Sequence, residues 1–499
     1  MKVRNCAWNW PQNYTRVLTS DLSKYRWAVV LLVLGASLTG KGQLGPTELL
    51  PEWGQAGWSN PAILHPSGGH LLIGGLSGGQ FELDHTGPTY ADFIGVDGAI
   101  NPEALLSNMD PMESIGFRSE VPIISVGFRD QKRFEFRLRS RVVAEQKFDY
   151  DRDLFDLAWR GNGHPDNIGR PISLGAMGMN SQVYFDHGVS VGAMAKEDKL
   201  WLGWGIHLLN GVAAFQTETF DVEWTTDTLD YSWDLSGAAT FNAAGVSLDS
   251  LLEGGEIEVP GNGGMPNTLG AGIAFDFGFL WRIGEWIELD GAVEGRGGMR
   301  WLESLSSKRV DPANFVLEGI DLVGELSDAG LSGSSDSLSQ ALEDWTEAMT
   351  DSLTNTFPVD SDPGLSAAFD TRVRETWRLG MRFKPSKSVE VSVMAFRQFR
   401  FGQTTEGGMF GLTYRLRGNV TAHVQGQYHS NRWMWGSGLS LRGGPIRLSV
   451  AARNVPGFLF PLDAGHWHGQ VGVSFDMGYA QKKKKRRKND LGTGKGMWH

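Results

Sequence analysis

The stretch Val420-Thr421-Ala422-His423-Val424-Gln425-Gly426-Gln427-Tyr428-His429 decides the fold class. Val420, Ala422, Val424, Gly426 and Tyr428 occupy one parity, while Thr421, His423, Gln425, Gln427 and His429 occupy the other. Successive side chains of an extended strand point to opposite faces, so one face suits an apolar medium and the other a wet one. Trp467, Val471, Val473, Phe475, Met477 and Tyr479 repeat the pattern against His468, Gln470, Ser474 and Asp476. Earlier, Phe134, Phe136, Leu138, Val142 and Ala144 alternate with Glu135, Arg137, Arg139, Arg141 and Glu145. A charged row is ruinous toward lipid and ordinary toward a lumen. The expected fold is all-β: a transmembrane antiparallel β-barrel of about fourteen strands, within a range of about twelve to sixteen.

Composition agrees with that class. Mean hydropathy is only -0.24 over 499 residues, and no apolar run long enough for a spanning helix follows the N-terminus. A barrel hides its membrane signal because every second residue is polar. Lys24 and Arg26 precede the apolar run Trp27–Ala36, the layout of a secretory signal peptide, with cleavage expected between Gly42 and Gln43. Cys6, the one cysteine, lies in that leader, so the mature chain is expected to carry no disulfide, Cys-ligated zinc or cysteine nucleophile. Loss of residues 1–42 removes six basic residues against Asp21 alone, leaving a chain more acidic than the net -11 of the precursor. Such a body argues against nucleic acid as a partner.

Residues 43–69 carry Trp53, Trp58, Asn60 and Pro61 in an aperiodic stretch, read as an irregular plug-like segment. The barrel is expected over 70–480. Its strands are placed at about 70–84, 121–130, 133–147, 172–185, 188–196, 199–214, 270–284, 286–302, 372–384, 388–400, 408–417, 419–429, 433–442, 446–455 and 466–479. That tally is odd, whereas single-chain bacterial barrels normally close with an even number. Residues 216–241 read as a hairpin reaching beyond the membrane. The segments 243–268 and 303–370 read as long external loops, the latter with a helix at 338–355. Residues 481–499 form a basic tail around Lys482–Lys488. Lys384–Ser388, Arg417–Asn419 and Gly443–Pro445 read as short periplasmic turns, opposite the long loops.

The segments Asp153–Gly163 and Gly205–Gly211, with Asn60-Pro61-Ala62 near the start, resemble a Bacteroidota-type outer-membrane barrel family. That family is distantly similar to the long-chain fatty-acid transporter (FadL-like) barrels and to accessory barrels of type IX secretion. The likeness covers most of residues 55–480. It implies an outer-membrane location and a FadL-like fold, and it carries no catalytic residues to transfer.

Several constellations bear on function. The even row Glu288, Asp290, Glu294, Arg296 and Arg300 is expected to face the lumen, with Arg137, Arg139, Arg141, Arg374, Arg378, Arg382, Arg415, Arg447 and Arg453. Such a lining either fills the barrel with ion pairs or guides an anionic or amphipathic solute. Trp281, Trp286, Trp301, Phe399, Phe401, Trp433, Trp435, Trp467 and Tyr479 fit interfacial girdles. His429-Ser430 suggests a lipid hydrolase, but adjacent strand residues face opposite ways, so no catalytic residue is assigned and no enzyme is expected. The acidic runs Asp149–Asp153 and Asp360–Asp362 lack a calcium-loop register. No cofactor or metal is expected.

The expected function is passage or binding of a small hydrophobic or amphipathic solute by a monomeric outer-membrane barrel, with outer-membrane lipid around it. The alternative is a structural or interaction barrel serving a secretion or surface-assembly machine or a periplasmic partner. A lipid hydrolase is the remote third.

Overall fold

The computed structural model describes most of residues 50–477; residues 1–49, 90–91, 93–101, 247–260, 311–314, 318–366 and 478–499, with some shorter stretches, lie outside the described residues. The signal peptide, the helix at 338–355, Asp360–Asp362, Tyr479 and the basic tail therefore fall outside them, as do the side chains of His429–Asn431.

The described strands are β1 Gly69–Ile73, β2 Gln80–His85, β3 Met112–Asp130, β4 Phe134–Asp151, β5 Gly178–Lys196, β6 Leu200–Thr226, β7 Trp233–Ala244, β8 Gly270–Ile283 and β9 Ile287–Trp301. They continue as β10 Phe369–Arg372, β11 Glu375–Phe383, β12 Val389–Arg400, β13 Gln403–Leu416, β14 Val420–His429, β15 Arg432–Gly443, β16 Ile446–Ala452 and β17 His466–Met477. Short helices α1 Ala56–Ser59, α2 Pro102–Asn108, α3 Arg152–Arg160 and α4 Val455–Leu459 accompany them.

Each wall strand pairs antiparallel with its sequence neighbour, and the first and last close the ring. Leu71 lies opposite Phe475 and Asp84 opposite His466 on one side, while Leu71 meets Val126 and Gln80 meets Glu120 on the other. With β1 and β2 forming one interrupted wall strand, β10 and β11 another, and β7 outside the closed ring because β6 pairs directly with β8, the barrel has 14 strands. Closure leaves no strand edge to face lipid, where an unpaired backbone group is costly.

The expected total of about fourteen agrees with this, and the fifteenth range comes from a break placed at Asp186-His187 within 172–196. The chain runs straight through as β5, with Gly188 facing the His207 ring inside the barrel. Joining the two pieces makes the count even and restores parity in the N-terminal third. The hairpin expected over 216–241 is the upper half of β6 with β7, and Leu305–Val310 pairs with β7 in turn.

The short links 131–133, 197–199, 284–286, 384–388, 417–419 and 444–445 fall at one end, where β1 begins and β17 ends, and the short links 401–402 and 430–431 fall at the other. The opposite end carries the long connections. There α3 is capped by Asp151, whose side chain accepts from the Asp153 amide, and Asp149 pairs with Lys147. The acidic run at 149–153 thus closes a strand and starts a helix.

The outer face carries a belt of exposed apolar side chains, among them Leu138, Leu202, Leu379, Leu412, Val424, Leu448 and Val471. The inner face is polar, with Thr421, His423, Gln425 and Gln427 all buried.

Candidate functional site

The barrel interior is built from the inward rows of these strands and from the segment around α1, which lies inside the wall. Asn60 donates from Nδ2 to the carbonyls of Phe279 and Gly291, each at 3.3 Å, and its Oδ1 accepts from the Ala62 amide at 3.0 Å. Three glycines make the seat. Gly192 on β5, Gly203 on β6 and Gly278 on β8 are direct cross-strand partners, and all three face inward. A Cβ at any of them would overlap Asn60, Pro61 or Ala62. A residue without a side chain is what lets one backbone approach another so closely.

Arginine side chains complete the clamp. Arg137 donates to the carbonyls of Gly57 (3.1 Å), Pro61 (3.3 Å) and Ile63, and pairs with Glu135 at 2.7 Å. Arg139 donates to the Trp58 carbonyl at 3.0 Å, while Arg129 reaches the His65 carbonyl. Glu135 accepts from the His65 amide at 2.6 Å, and Trp58 donates from its indole to Ser125 at 3.2 Å. The carbonyls of a segment without secondary structure need donors once buried, and these guanidinium groups provide them. Trp53 packs with Leu50 against Ala451.

Toward the long-loop end lies a layer of buried charge. Arg118 and Arg141 bracket Glu120, Arg118 also pairs with Glu145, and Arg374 joins Glu120 at 3.4 Å and Glu82 at 3.2 Å. Arg141 holds Asp186 at 2.8 Å. His207 is bridged between Asp186 and Asp276, each carboxylate oxygen 2.7 Å from a different ring nitrogen. The space left among these groups, bordered also by Glu294, is a cavity of about 20 Å³, room for about one water. Among the described residues, this layer and the clamped segment together pack the interior at this level.

Toward the short turns, Arg382 pairs with Asp290 at 2.8 Å, Glu288 with Lys384 at 2.6 Å, and Arg415 with Glu390 at 3.0 Å. Arg447 meets Asp476 at 3.1 Å there, while Arg453 meets Glu82 at 3.7 Å on the long-loop side. Arg378 differs from all of these. Its side chain is buried, and none of its three guanidinium nitrogens has a hydrogen-bond partner among the described residues. It is on β11, whose inward row neighbours that of β12, and there Met394 and Phe396 pack with Met409 into an apolar patch.

Two positions of the expected inward row are corrected. Arg296 and Arg300 are exposed on the outer face. Glu294 and Gly295 together stand opposite Asp276, a one-residue bulge at which Gly295 takes φ +74° and its amide donates to Asp276 at 2.8 Å. One extra residue reverses every side chain beyond it. The same reversal draws Trp301, expected in a girdle, into the interior at 0% exposure, where its indole donates to Thr371. Trp281, Trp286, Trp433 and Trp435 lie on the outer surface.

Pattern reading passed over Gly192, Gly203, Gly278, Asp186 and His207 as site residues. The signal was present: three glycines interrupt inward rows that are otherwise polar or bulky.

One family model matches residues 61–452, most of the barrel. The chain belongs to that family, DUF5723, a family of unknown function. No curated protein matches the chain. Among solved structures, it is similar to a mutant of the TodX monoaromatic hydrocarbon channel at 10% identity, with 84% of this chain and 93% of that one covered and a TM-score of 0.39. It is also similar to the COG4313 outer membrane channel of Pseudomonas putida F1, at 8% identity, 84% and 97% coverage and a TM-score of 0.29. The translocator domain of the autotransporter NalP from Neisseria meningitidis gives 7% identity, 83% and 90% coverage and a TM-score of 0.29. Likeness this remote transfers neither ligand nor mechanism, so function has to be argued from the site.

Proposed function

We propose that this member of the family is exported to the outer membrane, where it binds and passes a small amphipathic solute whose polar end is anionic. Arg378 carries the reading. A guanidinium withdrawn from water without a partner is costly, and a carboxylate or phosphate end group would satisfy it in bidentate fashion. The Met394–Phe396–Met409 patch beside it suits the apolar end. The packed interior supports a lateral route through the wall over a straight axial one. The first wall strand is interrupted between Ile73 and Gln80, and a groove of about 600 Å³ opens there between Phe81, Val121, Leu439, Val450, Phe458 and Val471.

The test is a titration of the detergent-purified barrel with decanoate, decane and decyltrimethylammonium, followed by intrinsic tryptophan fluorescence. Decanoate is expected to bind in wild type and at least about tenfold more weakly in Arg378→Met, since a lost charge-assisted bond is worth about 1.5–3 kcal/mol. Equal binding of the cationic amphiphile, or an unchanged Arg378→Met, refutes the reading.

The packed interior also favours a second reading, a scaffold barrel that transports nothing. Affinity isolation from solubilised outer membrane separates the two: a stoichiometric partner supports the scaffold, and a lone barrel that binds decanoate supports passage.

A further inference from the structure

The bulge at Gly295 leaves basic side chains on a face that belongs to lipid. Arg296 and Arg300 on β9 share the outer face with Arg372 on β10, which lies opposite Gly298, midway between them. Arg296 lies over the exposed ring of Trp377, 5.9 Å from its centroid. Asp370 is the cross-strand partner of Arg300, yet among the described residues no carboxylate lies within ion-pair distance of Arg296, Arg300 or Arg372. Two further acids nearby are engaged elsewhere, Glu375 with the Trp377 indole at 2.5 Å and Glu406 with Arg397 at 3.0 Å. In a chain of net charge -11, three adjacent outward arginines without acid partners stand apart.

Their height in the wall is informative. Arg300 is level with Ala271 on β8, and the girdle residue Trp281 of the same strand marks the short-turn end. Ten residues at about 3.4 Å each, tilted by roughly 40°, rise about 26 Å, the height of one apolar belt. Arg300 and Arg372 therefore stand at the headgroup level on the long-loop side. Arg296, lower by about two fifths of that rise, extends its stem along Trp377 toward the same level. Directly below runs a groove of about 740 Å³, lined by Leu202, Phe277, Phe279, Val293, Trp377 and Leu379. Cations above an apolar trough at a bilayer boundary complement a molecule with a phosphate end and a hydrocarbon chain.

We propose that Arg296, Arg300 and Arg372, with the groove beneath them, form a binding site for one anionic phospholipid of the leaflet on the long-loop side. The phosphate engages the arginines and an acyl chain lies in the groove. This inference rests on the barrel lying in a bilayer and is independent of any solute in its interior, so a failed decanoate titration leaves it standing.

The full chain, purified in non-ionic detergent, is examined by native mass spectrometry with added phosphatidylglycerol, or with phosphatidylcholine of the same chains. Wild type is expected to retain phosphatidylglycerol and shed phosphatidylcholine. Retention is expected to fall about fivefold for each arginine replaced by Gln, and about a hundredfold in the R296Q/R300Q/R372Q protein. Lys387→Gln, at the opposite rim, is expected to keep the lipid. Heat-modifiable electrophoretic mobility checks that each variant is a folded barrel. Undiminished retention by the folded triple variant, or equal loss in Lys387→Gln, overturns the proposal. Displacement of the lipid by inorganic phosphate alone overturns it too, in favour of a free-anion site.

Discussion

Gly203 is where the inner segment is most sensitive to a single added atom. In Gly203→Ala the new methyl would overlap the Ala62 nitrogen and the Pro61 carbonyl, both backbone atoms that cannot rotate aside. Relief needs a retreat of about 1 Å by Asn60-Pro61-Ala62, enough to take the two Asn60 hydrogen bonds, already 3.3 Å long, out of range. Losing both costs about 2 kcal/mol, and residual overpacking adds about 1–3 kcal/mol. Roughly 3–5 kcal/mol against docking multiplies the undocked population by about two to three and a half powers of ten. The reporter is Ser59→Cys in a Cys6→Ser background, because Ser59 is buried within α1 and its hydroxyl bonds to the Ala56 carbonyl. Labelling by a bulky, membrane-impermeant maleimide then follows the undocked fraction. Gly203→Ala is expected to label about a hundredfold faster or more, with heat-modifiable mobility unchanged because the wall keeps its ladder. Gly443→Ala, where a Cβ meets nothing within 4 Å, is the control and should label like the parent. Parental labelling in folded Gly203→Ala would refute the idea that the glycine row is what seats the segment.

Other perturbations test separate layers of the same structure. Arg137→Met strips three carbonyls of their donor and leaves Glu135 fully buried without its ion pair; amide exchange across residues 57–63 should accelerate while the strands of the wall stay protected. His207→Phe removes the bridge between Asp186 and Asp276, so the thermal transition seen by mobility shift should fall by the equivalent of about 3–5 kcal/mol. Adding Asp276→Asn should recover part of that loss, since Asp276 then keeps only Arg139 at 3.7 Å as a cation partner while Asp186 retains Arg141. Val424→Arg places a cation on the outer face at mid-strand; urea titration of folding into vesicles should show a cost of about 2–4 kcal/mol, and no cost would mean that face does not meet lipid.

Why the barrel was readable from the chain while its contents were not follows from the kind of information each needs. Alternation is local. Thr421, His423 and Gln425 declare an inward row because a polar side chain on every second residue has no other use in a strand facing lipid. Errors entered where a single residue changes the phase. Asp186-His187 looked like a break but lies within a strand, where the missing side chain of the next residue, Gly188, makes room for His207. Gly295 looked like one more strand residue but takes the left-handed conformation and reverses the row, sending Arg296 and Arg300 out and Trp301 in. A glycine's sequence context does not reveal which role it plays, because the decisive partner, His207 or Asp276, lies on another strand. The interior raises the same difficulty at longer range. That Arg137 serves the carbonyls of Gly57, Pro61 and Ile63 depends on contacts across more than seventy residues, which no periodicity records. The partial signal was the company the glycines keep: a small residue in each of three rows meant for polar side chains implies another backbone close by. The aperiodic, Pro-containing stretch around Asn60 needed such a bed, because burying it anywhere else would leave its carbonyls without donors.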